Sequence, residues 1–382
     1  MALRDAGAAA GAALLLAAML ALGQAFGWRQ GVAWGLGGAL GFVLFQASFG
    51  FTGAYRRLFT TGEGAGVRAQ LVMIALTMLL FLPALAAGSV LGTPVRGFVF
   101  PVGIGLLVGA FLFGVGMQLG GGCGSGTLYS AGGGQGARMW VTLAFFIIGA
   151  TLAAWQAELW TGWPALAPVS LPDRLGTWPA MLLGVAVLGA AWAATRWLEA
   201  ARTGRVASLS WQGGHWLRGP WPLLWGAVGL ALLNVTVLAV TGRPWAITAA
   251  FPLWGAKLVE TLGIDDPAFW PFWEDPTRTE ALLRPLLADR IGVMDLGLMA
   301  GAAIAALLAG RAAPWAWPGG GALLASGFGG LLLGVGATLG FGCNISAFVG
   351  GVASGSLHGW VWILPALLGN WVGVKLRPAF GI

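Results

Sequence analysis

The feature that most restricts this chain is a succession of apolar windows, each about 20 residues long, the length a transmembrane helix needs. They lie at about 8–27, 68–87, 101–119, 138–157, 179–198, 220–240, 291–309, 321–341 and 358–376. Two further apolar stretches, 31–51 and 246–262, are interrupted by glycine, proline or charge and read as re-entrant or broken elements. Non-helical backbone is tolerated at membrane depth only where protein or a wet cavity satisfies its hydrogen bonds. Only 9% of the residues are charged and 58% are hydrophobic, against roughly 25% charged in a soluble domain. A water-soluble fold could not hide that apolar surface. The fold class that follows is an all-α integral membrane protein of about nine transmembrane helices with broken helices between them.

The first window could be taken for a secretory signal. Its basic region is weak, however, with Arg4 followed at once by Asp5, and it reads as the first span. The net charge of +7 rests on scattered arginines without a nucleic-acid motif, so it reads as topology. Nine crossings with the N-terminus outside gather twelve basic residues, from Arg29 to Arg377, on the inner side with only Glu63 and Glu199. The expected orientation is therefore N-terminus outside and C-terminus cytoplasmic.

The chain also repeats itself. GVGMQLGGGCGSGT from Gly114 aligns with GVGATLGFGCNISA from Gly334, an offset of 220 without a gap. Glycines 114, 116, 120 and 122 fall on 334, 336, 340 and 342, and Cys123 falls on Cys343. Carried backward, the offset pairs the first span with 228–247, the broken stretch 31–51 with 251–271, and the span 68–87 with 288–307. The reading is a first repeat over 1–157, a linking helix and basic loop over 158–219, and a second repeat over 220–382. Four spans and the linking helix make an odd number of crossings, so the repeats are inverted, as in many transporters with a site at the bilayer midplane. The Cys123 break then opens from the inside, the Cys343 break from the outside, and the two meet head to head.

A glycine-rich run between two spans exposes N–H groups to a ligand. Where it opens a short helix, free amides and the positive dipole end favour an anion. A thiol there adds a weak, polarisable donor suited to sulphur-bearing ligands. Two cysteines form no disulfide framework and no CxxC pair, and His215 and His358 complete no metal cluster. No catalytic residue, metal or cofactor is expected. Elsewhere, Asp295 lies just inside a predicted span, where an acid is a functional suspect, but its nearness to the end favours a helix cap or interfacial position, and Lys257 with Glu260 reads as a local pair. The segment Phe269 to Trp273 reads as interfacial, and the linker 199–219 as a solvated loop without chemistry.

The segments GGGCGSGTLYSAGGG (120–134) and GFGCNISAFVGG (340–351) resemble the two signature breaks of the YeeE/YedE sulphur-transport family. The resemblance implies import of thiosulfate or a related sulphur anion across the bacterial inner membrane, along an hourglass path of thiols. It makes Cys123 and Cys343 relay thiols, with Gly122, Gly124, Ser125, Gly342 and Asn344 shaping their turns, and implies a small cytoplasmic sulphur-carrier protein as partner. One departure stands out: Gly50 occupies the place of a third cysteine that family members commonly carry in the first broken stretch. A membrane sensor of sulphur compounds that signals without net transport is the alternative reading. A membrane thiol enzyme is a third, and the lack of a cofactor motif weighs against it.

Overall fold

A computed structural model describes residues 2–134, 136–210, 214–311 and 316–382. The first part of the chain forms α1 (Ala2–Phe26), α2 (Trp28–Gln46), α3 (Phe51–Thr60), α4 (Ala65–Ala87), α5 (Ile104–Gly120), α6 (Gly124–Gly132) and α7 (Ala137–Trp155). Two short helices, α8 (Glu158–Thr161) and α9 (Leu171–Leu175), lead to α10 (Thr177–Thr203). The rest forms α11 (Leu223–Thr241), α12 (Ala250–Thr261), α13 (Pro276–Leu283), α14 (Arg290–Ala309), α15 (Gly320–Leu339), a π-helical turn (Asn344–Val349), α16 (Gly350–Ala353) and α17 (Leu357–Leu376). Among the described residues the sheet is confined to two antiparallel pairs of two-residue strands, one a hairpin and the other joining residues 102–103 to 165–166. The protein is an all-α membrane protein.

Among the described residues ten helical stretches, where nine were expected, are long and apolar enough to cross a membrane. The tenth comes from the stretch 31–51, read above as broken. Its residues 28–46 make a regular helix, and the break follows at Ala47–Gly50, where Ser48 takes a positive φ of 48°. The glycines that made this stretch look irregular serve close packing instead. A Cβ on Gly41 would lie 1.9 Å from the carbonyl oxygen of Leu298, and one on Gly301 would lie 1.9 Å from that of Gly38. Backbone therefore runs against backbone between α2 and α14, as small residues allow in membrane helices. The same device joins α5 to α17 at Gly114 and α7 to α15 at Gly149 and Gly334. These contacts all link the segments 1–157 and 220–382, which interleave.

Ten crossings, an even number, would put both termini on one face, where nine would put them on opposite faces. Asp5 pairs with Arg218 at 3.1 Å. The neighbouring Leu217 carbonyl accepts from Gln46 at 2.8 Å, and Gln46 Oε1 accepts from Arg311 at the end of α14, also at 2.8 Å. Ser48, two residues on, lines the same cavity as Arg377 near the C-terminus. Arg29, expected with this group, lies at the other end of α2 and donates to Thr93 Oγ1 at 3.2 Å.

Two other expectations change. The linker 199–219, of which 211–213 lie outside the described residues, is anchored by a buried ion pair between Glu199 and Arg68. Arg68 also donates to the Ala207 carbonyl at 2.8 Å. In the segment 269–273, Phe269 is exposed, but Trp270 and Trp273 are buried against α12 and Ala154 because an amphipathic stretch folds back over the bundle. Lys257 and Glu260 pair at 2.9 Å as expected.

Candidate functional site

The site is built where helices stop inside the bundle. α5 ends at Gly121, whose φ of 86° is the left-handed cap that glycine adopts without strain. Three residues later α6 begins, with Cys123 as its N-cap in extended conformation. In the other half the chain turns through Phe341 and Gly342, at φ values of 59° and 135°, and Cys343 caps the π-helical turn. α3 likewise starts inside the bundle after its break, with Gly50 as N-cap. The turn before α12 brings Thr248 to the same region.

The two cysteines are brought together. A Cβ on Gly124 would stand 3.1 Å from Cys343 Sγ and 3.2 Å from Thr248 Cγ2. Both thiols are free and fully buried. Cys123 Sγ lies 3.5 Å from Ser125 Oγ, and its carbonyl accepts from Thr127 N at 2.8 Å. Cys343 Sγ accepts from Ile345 N at 3.4 Å and from Ser346 Oγ at 3.8 Å. Ser346 Oγ in turn accepts from Cys343 N at 3.1 Å, closing a capping box. With its sulphur occupied as acceptor, the Cys343 S–H proton remains available to donate.

The remaining expected residues surround these thiols. Gly122 and Gly342 sit before the cysteines, where a Cβ would meet Thr127 Oγ1 at 2.7 Å and Ser346 Oγ at 2.1 Å. Asn344 Nδ2 lies 3.4 Å from Tyr55 Oη, and its Oδ1 is buried without a partner among the described residues, as are Thr52 Oγ1 and Thr127 Oγ1. A Cβ on Gly50 would lie 3.3 Å from Tyr129 Oη, so the position of the missing thiol faces a hydroxyl.

Two cavities approach this centre from opposite faces. The one on the side of the termini, about 450 Å³, is lined by Arg56, Arg57, Arg138 and Arg377 together with Gly50 and Tyr129. The other, about 680 Å³, reaches Thr248, Gly342 and Ser346. Its wall carries Arg243, Arg278, Arg284 and Arg290 beside Asp275, Glu280 and Asp289. There the Thr277 hydroxyl holds the Asp275 carboxyl below the usual carboxylate range, while burial pushes that of Asp289 above it. Such guanidinium-lined mouths concentrate anions.

Sequence reasoning missed Tyr55, Tyr129, Thr248 and the four arginines of the first cavity as a group. Tyrosine carried a usable signal: the chain has only two, and both lie beside Cys123 or Asn344. The arginines gave none, because α3, α7 and the C-terminal turn meet only in three dimensions.

Residues 46–372 match the family described as sulphur transport. Over 178 residues the chain is 30% identical to the probable transporter YedE of Escherichia coli K12, covering 46% of this chain and 43% of that protein. The chain thus spans less than half the length of the YedE proteins it matches. It is 26% identical over 362 residues to the thiosulfate transporter TsuA of Spirochaeta thermophila, covering 88% of this chain and 95% of that one. The E. coli K12 protein of the same name is 26% identical over 357 residues, 90% and 94% of the two chains.

Proposed function

Because the chain belongs to the sulphur-transport (YeeE/YedE) family, we propose that it carries thiosulfate or a closely related sulphur anion inward across a bacterial inner membrane. One observation carries the reading: two helix starts with cysteine at the N-cap position abut between two arginine-bearing cavities on opposite faces. A dianion drawn into the outer cavity reaches the Cys343 turn, where backbone amides and a free S–H replace lost water. It passes to the Cys123 turn and leaves between Arg56, Arg57, Arg138 and Arg377. No covalent step is needed, since a thiol that donates a hydrogen bond is not consumed. Gly122, Gly124, Ser125, Gly342 and Asn344 hold the two turns in shape. A small cytoplasmic sulphur-carrier protein would collect the cargo at the inner cavity.

The orientation follows from charge. The face bearing both termini holds twelve of the 20 basic residues, from Arg4 to Arg377, and three of the 13 acidic ones, Asp5, Glu63 and Glu199. The positive-inside rule makes that face cytoplasmic. The halves are related element by element: span, half-helix, span, span, half-helix and span recur from α2 to α7 and from α11 to α17. α1 and α10 precede them as counterparts, in place of the pairing of the first span with 228–247 and of a linking helix outside the repeats, so each repeat has five spans, an odd number that inverts one against the other.

The test is uptake of 35S-thiosulfate by cells lacking other sulphur importers. Expression of the chain should restore uptake, and Cys123→Ala and Cys343→Ala should each lower it about tenfold, the rate equivalent of one lost hydrogen bond of ~1.4 kcal/mol. Full uptake by either variant would remove that thiol from the path.

A further inference from the structure

α14 carries a carboxyl group that the path above does not use. Asp295 is fully buried, and neither of its oxygens has a hydrogen-bond partner among the described residues. It is not the helix cap: Asp289 has that role, accepting from Gly292 N at 2.6 Å. Nor does any basic group answer it. α2 carries only Arg29, which donates to Thr93. α1 carries Arg4 and Asp5 at its far end, where Asp5 pairs with Arg218. α6 carries only Tyr129, which lines the inner cavity, and α12 carries only Lys257 and Glu260, which pair with each other. On α14 itself Arg290 donates to the Thr241 carbonyl at 3.1 Å, and the other acid within electrostatic reach is Asp289. An ionised carboxylate here would have neither counter-charge nor donors, the costliest state for a group at membrane depth. A carboxyl group so placed is least costly as the neutral acid.

Its position gives that proton somewhere to go. Asp289 and Met294, both just before it along the chain, line the outer cavity. Met299 lies one turn further along the same face of α14, and its carbonyl oxygen would be 2.3 Å from a Cβ on Gly132 of α6. α6 is the helix capped by Cys123. Asp295 thus sits on α14 between Met294, which lines the outer cavity, and Met299, which meets the C-terminal end of α6.

We propose that Asp295 is a proton-coupling residue, taking a proton from the outer cavity and releasing it inward in each cycle, which makes the chain a proton–anion symporter. The inference rests on the transport reading above. An anion at the Cys123 turn disfavours a second negative charge on Asp295, and by linkage a protonated Asp295 favours the bound anion.

The test uses the purified full chain in liposomes, with 35S-thiosulfate as probe. At equal pH, exchange of labelled for unlabelled thiosulfate needs no net proton movement, and both wild type and Asp295→Asn should perform it. An inward proton gradient, with the membrane potential clamped at zero, should raise wild-type accumulation about tenfold per pH unit for one proton per cycle. Asp295→Asn should lose that response and Asp295→Glu should keep it. A wild type indifferent to the gradient, or an Asp295→Asn variant that responds like wild type, overturns the proposal. Absence of wild-type exchange at equal pH overturns the transport reading and this inference with it. If Asp295→Asn fails to fold, a pH dye inside wild-type vesicles still decides: acidification on adding thiosulfate supports coupling, and its absence refutes it.

Discussion

Arg68 and Glu199 show how much a single pair can decide in this chain. Their side chains are 1% and 2% exposed, and they tie the start of α4 to the end of α10 and to the backbone of the following loop. Removing one partner leaves the other charge buried and unanswered, so Glu199→Gln should cost ~3–5 kcal/mol, whereas replacing both residues by methionine should restore most of the loss. Thermal unfolding in detergent checks both. The sequence placed Glu199 in a solvated linker because nothing local separates a buried acid from an exposed one; the partner is 131 residues away. Asp295 was misread for the same reason, since its nearness to a helix start suggested a cap while Asp289 already filled that position. Cys123 and Cys343 were legible because their signal is local, a cysteine inside a glycine run, and occurs twice.

Among elements, the spans were legible from length and apolarity, which are properties of consecutive residues. The stretch 31–51 was not, because glycine has two uses in a membrane, breaking a helix or letting one approach another. Its neighbours decide which, and α14 lies nearly 250 residues further along. This distinction can be measured. A methyl group at Gly301 has to displace the Gly38 carbonyl oxygen, 1.9 Å from its position. Gly301→Ala should therefore lose ~1–3 kcal/mol by overpacking. Gly189 of α10 has nothing within 4 Å of its added Cβ, so Gly189→Ala should be neutral or gain up to ~1 kcal/mol from helix propensity. The same detergent unfolding assay separates the two, and an equal loss at both positions would contradict the packing described here.

For the whole molecule, the count of ten spans fixes a relation that nine would reverse. Reporter domains fused to the N-terminus and to the C-terminus should be active in the same compartment, the cytoplasm, and opposite results would reject the arrangement of α1 and α2. The two cavities differ in kind. The outer one sets four arginines beside three carboxylates, while the inner one lines its wall with four arginines and no acid among the described residues. Under the proposed function an anion would therefore be held longer at the inner mouth than at the outer one, and the slow step of a cycle would be its departure.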